Sequence, residues 1–277
     1  MNIVIGFYSN YPSLDTDKGG LRIFVNSFRK YNQKDLIVVC YVPPIKCEDL
    51  IEFCDKNNCL LESVELEDVK TGNRWSQYYH VINKLSNIFT IENLLIIDMN
   101  DAIFQSDPFQ INVENKLHCA CEKTTFATDV ENNYNSVNIN TTWMNQTQLV
   151  HINNDNLKKD KATNLIEKSI YNNPILCSGT ILGNYDSICK LLSWGKNKTG
   201  ADQGLLNVYV YSVLDPTEYK APLVDVSDIL TMDSIQFNSL RKNKDGFILN
   251  KNNKIYSICH QIDRGCGLHH FLNIGKQ

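Results

Sequence analysis

Residues 94–109 read Leu94-Leu95-Ile96-Ile97-Asp98-Met99-Asn100-Asp101-Ala102-Ile103-Phe104-Gln105-Ser106-Asp107-Pro108-Phe109. An apolar run of strand length stops at a carboxylate, Asp98, and a second carboxylate follows three residues later. Strand interiors bury apolar side chains, so charged groups at a strand's carboxyl end stand on the rim of the sheet, where open α/β sheets bind ligands. Two carboxylates there make a hard-oxygen site for Mg²⁺ or Mn²⁺, which can in turn hold a diphosphate. Asp and Asn are also ordinary turn residues, so the reading needs support from the rest of the chain.

Upstream of this stretch, strand and helix signals alternate. Ile3 to Tyr8 is a short apolar run that ends in the turn Ser9-Asn10-Tyr11-Pro12, and Leu21 to Arg29 has apolar positions at helical spacing. Leu36 to Val42 is a β-branched run closed by Pro43-Pro44, residues 47–57 are again helical in period, and Cys59 to Leu66 forms a third strand. Trp75 to Ile88 is an amphipathic helix with Tyr78, Tyr79, Ile82, Leu85 and Ile88 on related faces. Such alternation implies parallel strands joined by right-handed crossovers, with helices on both faces. The first strand runs into Phe7-Tyr8-Ser9-Asn10, and the chain has neither G-x-G-x-x-G nor G-x-x-x-x-G-K-[ST]. Dinucleotide binding and nucleoside triphosphate hydrolysis are therefore disfavoured.

Downstream, residues 130–160 are polar and Asn-rich and suggest a long surface excursion, followed by a helix near 160–171. A strand at Ile175 to Gly183, helices at Asp186 to Gly195 and Asp202 to Tyr211, and strand-like runs at 222–226, 246–249 and 254–259 complete the pattern. Neither an internal repeat nor a linker marks a second domain.

The 277 residues, 43% hydrophobic and 21% charged with a net charge of −4, have an ordinary globular composition with no general affinity for nucleic acid or anionic membrane. No apolar run approaches the ~18 residues of a membrane span, and Met1 to Tyr8 reads as a strand rather than a signal peptide. The ten cysteines are scattered, which favours reduced thiols and a cytoplasmic location. Glycosylation-type tripeptides at Asn140, Asn145 and Asn197 are attributed to an Asn-rich composition.

Four further patches bear on chemistry. Cys177-Ser178-Gly179-Thr180-Ile181-Leu182-Gly183 is a strand that starts with small residues, which let a ligand approach the backbone or simply end a strand tightly. Ala201-Asp202-Gln203-Gly204-Leu205-Leu206-Asn207 opens a helix, where Asp is also a plain cap. Ser257-Ile258-Cys259-His260-Gln261-Ile262-Asp263-Arg264 offers a neutral imidazole ligand and a guanidinium for phosphate, or a buried structural histidine. Arg74, with Tyr78, leads the helix before the acidic strand and suits a phosphate or a uracil-type base, or plain solvent.

In this order the patches resemble the GT-A fold glycosyltransferases, which use a nucleotide-sugar and a divalent metal. The likeness is nearest to family-8-like enzymes of the glycogenin and lipopolysaccharide galactosyltransferase type and to related sequences with an F-Q-x-D-P-F block, here Phe104 to Phe109. It implies one α/β GT-A domain over 1–277, a Rossmann-like mixed sheet flanked by helices, with a nucleotide-binding half at 1–110 and a sugar- and acceptor-binding half at 111–277. It further implies Asp98 on ribose or metal, Asp101 or Asn100 as the second acidic-motif ligand, and His260 completing the metal site. Asp101 is favoured, because Asn100 offers only a neutral carbonyl. Tyr8, Ser9, Arg74, Asp98, Ser178, Gly179 and Arg264 are then the nucleotide-sugar contacts, and Asp202 and Gln203 meet sugar or acceptor hydroxyls in catalysis. The implied donor is a UDP-sugar with Mn²⁺ or Mg²⁺, and the implied acceptor a glycan or another hydroxyl. Retention and inversion stay open, Asp202 being the general base if the enzyme inverts. Two other readings compete: a non-catalytic nucleotide-sugar or glycan-binding module, and a zinc-binding protein using Cys259, His260, Cys266, His269 and His270.

Overall fold

A computed structural model describes residues 1–9, 11–16, 19–65, 74–125, 170, 172–198, 200–232 and 240–263. The strands are β1 (Ile3–Phe7), β2 (Asp15–Thr16), β3 (Gly19–Gly20), β4 (Leu36–Tyr41), β5 (Cys59–Ser63), β6 (Asn93–Ile97), β7 (Ala102–Phe104) and β8 (Leu117–Thr125), followed by β9 (Pro174–Asn184), β10 (Tyr219–Lys220), β11 (Ile229–Thr231), β12 (Arg241–Lys242), β13 (Ile248–Leu249) and β14 (Ile258–His260). The helices are α1 (Leu21–Tyr31), α2 (Leu50–Lys56), α3 (Trp75–Ser86), α4 (Tyr185–Gly195) and α5 (Asp202–Val208), the last continuing into a wider π-helical turn at Tyr209–Val213.

The fold is α/β. A seven-stranded mixed sheet has the order β10-β8-β9-β6-β1-β4-β5. Its β5-β4-β1-β6 portion is parallel, as the alternating signals predict, and β9 then pairs antiparallel with both β6 and β8. Period-two alternation divides the core between the two faces. Ile3, Ile5, Leu94 and Ile96 pack against α3, α4 and α5, whereas Val4, Ile37, Leu95 and Ile97 pack against α1 and α2. Among the described residues no helix is long and apolar enough to cross a membrane, and the nine described cysteines are all unbridged.

Two features differ from the sequence expectation. The longest gap between expected elements holds β8, in which polar His118 and Glu122 break up the apolar signal, yet both are buried. The run at 222–226 is not a strand: Leu223 and Val226 are exposed, and the Val226 and Ser227 amides both close a turn on the Leu223 carbonyl. Strand β11 begins just after it. The expected excursion at 130–160, nearly all of the helix at 160–171, and residues 264–277 lie outside the described residues.

A small second sheet, β11-β14-β7, places the carboxyl-terminal region beside the acidic stretch. Antiparallel pairing of β14 with β7 sets His260 opposite Ala102, one residue after Asp101. The block after β7 anchors this sheet. Buried Gln105 donates to the Tyr256 carbonyl at 2.9 Å and accepts from the Ile248 amide at 2.8 Å, while Asp107 caps the turn at Pro108–Gln110. Phe104–Phe109 is therefore scaffold that delivers His260.

His118 gives the fold a pH dependence. Its ring is buried and neither nitrogen has a hydrogen-bond partner among the described residues. Burial, helped by Lys220 and Lys254 against the pull of Asp228, pushes its pKa down from 6.5 to about 4. The unfolded chain thus binds the extra proton, so stability is complete above pH 6.5 and lost as pH falls toward 4. The expected loss is about 3 kcal/mol. Urea unfolding at pH 7 and pH 4.5 measures it, and His118→Leu should remove most of the difference. Equal losses in both proteins would contradict the assignment.

Candidate metal and sugar site

The rim at the carboxyl ends of β1 and β6 gathers residues in or next to six elements: β1, β6, β9, β14, α3 and α5. Asp98 follows β6, and its amide donates to the Gly179 carbonyl at 2.9 Å, tying it to β9. Strand β9 bulges there. Cys119 pairs with Ile181 but the next residue, Ala120, pairs with Cys177, so Ser178, Gly179 and Thr180 have no register partner in β8. Bulges bend a strand and re-aim its side chains, and this one turns Ser178 and Gly179 toward the rim.

Three ligand atoms converge at this point. Asp98, Asp101 and His260 each offer one, all within 4.8 Å of one another. His260 Nε2 lies 3.4 Å from Asp101 Oδ1 and 3.8 Å from Asp98 Oδ2. The imidazole is 1% exposed and its Nε2 makes no hydrogen bond within the usual limits among the described residues. Burial opposes a charged ring, but Asp101 and the Cys177 sulfur outweigh it and lift the His260 pKa well above the ordinary value. Two carboxylates and an imidazole facing one point thus call for positive charge, from a proton or from a divalent cation. The donor set, two carboxylate oxygens and one nitrogen, is of the kind that suits Mn²⁺ or Mg²⁺.

The space is set by the absence of a side chain. A Cβ on Gly179 would stand 2.3 Å from His260 Cε1, 2.6 Å from Nε2 and 2.7 Å from Asp98 Oδ2. Only glycine admits both side chains.

Beside this cluster, Arg74 at the start of α3 donates from Nη1 to Asp98 Oδ1 at 2.9 Å and lies over the Phe7 ring at 5.5 Å. Asp202, opening α5, accepts from Ser178 Oγ at 3.1 Å and from the Gln203 amide at 2.8 Å. Burial, then the nearby Asp98 charge, raises its carboxyl pKa against the pull of Arg74 and Ser178. Ser9 Oγ accepts from Asn100 Nδ2 at 2.7 Å, so the Asn100 amide is turned to β1 while Asp101 meets the imidazole.

Other residues singled out in the sequence sit further back. Tyr8 donates to the Tyr11 carbonyl at 2.8 Å, bracing the turn after β1. Gln203 is buried: its Nε2 donates to Glu122 at 3.0 Å and its Oε1 accepts from the Ser178 amide at 3.3 Å. Arg264, Cys266, His269 and His270 lie outside the described residues. Cys259 packs with Ile103, Leu230 and Met232 and takes a contact from Gln105, on the opposite face of β14 from His260. Sequence reasoning missed Glu122 and the sulfur of Cys177, which meets His260 Nδ1 at 3.5 Å. Neither had a local signal: Glu122 lies on a strand whose buried polar residues hide it, and nothing local marked Cys177.

No protein-family model matches the chain, and no curated protein matches it. Two of the solved structures that align with it span most of its length. Mouse xyloside xylosyltransferase 1, in its apo form, covers 94% of this chain and 96% of its own at 10% identity, with a TM-score of 0.44. The apo WbbM bifunctional glycosyltransferase covers 100% of this chain and 50% of its own at 11% identity, with a TM-score of 0.49. Both neighbours are glycosyltransferases. At such scores the likeness decides nothing about chemistry, which rests on the side chains of the rim.

Proposed function

We propose that this protein is a GT-A glycosyltransferase that moves a sugar from a nucleotide-diphosphate donor, a UDP-sugar in the first instance, to a hydroxyl acceptor. The observation that carries this reading is the meeting of Asp98, Asp101 and His260 on the sheet rim, next to a second polar group made by Ser178 and Asp202. The Arg74-led helix, the acidic stretch, the Ser178-Gly179 strand, the Asp202-Gln203 helix start and the segment from His260 to Arg264 are the patches whose order suggested the family.

Asp98, Asp101 and His260 would hold the divalent cation, which when bound supplies Lewis-acid stabilisation to the departing diphosphate. Arg74, held by Asp98 and backed by Phe7, adds a fixed positive charge facing the same space. Asp202 is oriented by Ser178 and the Gln203 amide, leaving carboxylate lone pairs for sugar hydroxyls. Glu122 and Gln203 hold the Ser178 backbone from below. In this reading residues 1–110 carry the nucleotide and residues 111–277 the sugar and acceptor.

Release of UDP or GDP from a panel of UDP- and GDP-sugars, with Mn²⁺, Mg²⁺ or EDTA, tests the proposal. At least one UDP-sugar should be slowly hydrolysed with Mn²⁺, and EDTA should stop it. Tight donor binding with no turnover of any sugar would favour a non-catalytic binding module, and EDTA-insensitive turnover would overturn the metal site.

A further inference from the structure

We propose that Cys177 is the positioning residue for His260: its sulfur accepts the Nδ1 proton and so presents Nε2, with its lone pair, to the cation. This rests on the metal reading above and adds a residue to it. Cys177 Sγ lies 3.5 Å from His260 Nδ1 in a fully buried contact. Gln261 Nε2 also donates to that sulfur, at 3.8 Å.

A sulfur that already meets the Gln261 N–H acts as an acceptor, so the imidazole proton belongs on Nδ1. The ring nitrogen left over is the one that faces Asp98 and Asp101. Metal-bound histidines usually gain their tautomer from a carboxylate or carbonyl on the other nitrogen; here a thiol stands in that place. The geometry is built by two devices already described. The β9 bulge begins immediately after Cys177, and Gln261 adopts a left-handed backbone (φ 60°) that turns its amide back under the histidine.

Mn²⁺ titration followed by electron paramagnetic resonance on the wild type, Cys177→Ser and Cys177→Val tests this, with thermal unfolding recorded for each. Valine removes the acceptor and adds roughly one methyl group of bulk, which the thermal unfolding monitors, whereas serine keeps an acceptor without added bulk. The expected result is wild-type binding, a ~10- to 100-fold weaker Mn²⁺ affinity for Cys177→Val, and substantial recovery in Cys177→Ser. Unchanged affinity in Cys177→Val, or equal losses in both variants, would overturn the positioning role while leaving the metal site standing. Failure of the wild type itself to bind Mn²⁺ would overturn the metal site, and the role of Cys177 with it.

Discussion

Asp101→Ala is expected to lower Mn²⁺ affinity and metal-dependent turnover by more than about 100-fold, beyond the range seen when only a supporting group is lost. Two causes combine. A charged oxygen ligand disappears, and His260 loses the nearer of its two carboxylates, the one 3.4 Å from Nε2. The substitution should leave the fold intact, since Asp101's backbone carbonyl still accepts from the Ile262 amide. Asn100→Ala is the matched comparison. The Asn100 amide is turned to Ser9, so that variant should keep Mn²⁺ affinity within about tenfold of the wild type. A larger loss from Asn100→Ala than from Asp101→Ala would move the second ligand to position 100. Isothermal titration of the purified variants with Mn²⁺ decides between the two.

Gly179→Ala should be as damaging, for a steric reason. One methyl group would overlap the imidazole and the Asp98 carboxylate at separations of 2.3 to 2.7 Å. Relief requires moving His260, which is held by the small sheet, or Asp98, which is tied to Gly179 itself. Mn²⁺ binding and turnover should fall by at least about 100-fold, with a stability cost of about 1–3 kcal/mol from overpacking. Gly183→Ala, in the same strand, has as its nearest neighbours Ile188 carbons and the Lys116 carbonyl at 3.2 to 3.4 Å, and should spare metal binding. Near-wild-type Mn²⁺ affinity in Gly179→Ala would show that the ion does not sit between His260 and Asp98.

The parallel half of the sheet was legible because each strand from Ile3 to Ile97 is a short apolar run bounded by a helix with its own period. Strand β8 was not, because buried His118 and Glu122 are satisfied or neutralised by tertiary neighbours that no local window contains. The apolar residues at 222–226 misled for the converse reason: Leu223 and Val226 are apolar yet exposed, and Val224 alone of the three is buried. At the rim, acidic spacing after a strand pointed to Asp98 and Asp101. The approach of His260 depends on β14 pairing with β7 across more than 150 residues, a register set by Gln105 rather than by any motif around the histidine. The link between Cys177 and His260 follows from that same long-range pairing and from the bulge, so neither residue's neighbours announce it.

Anomalous diffraction above the manganese edge, from crystals soaked in Mn²⁺, tests the central claim most directly. A single strong peak bonded to Asp98, Asp101 and His260 Nε2, and absent from His260→Ala crystals, is the predicted result. A peak elsewhere with this trio unoccupied, or one that persists unchanged in His260→Ala, would contradict the shared cation site.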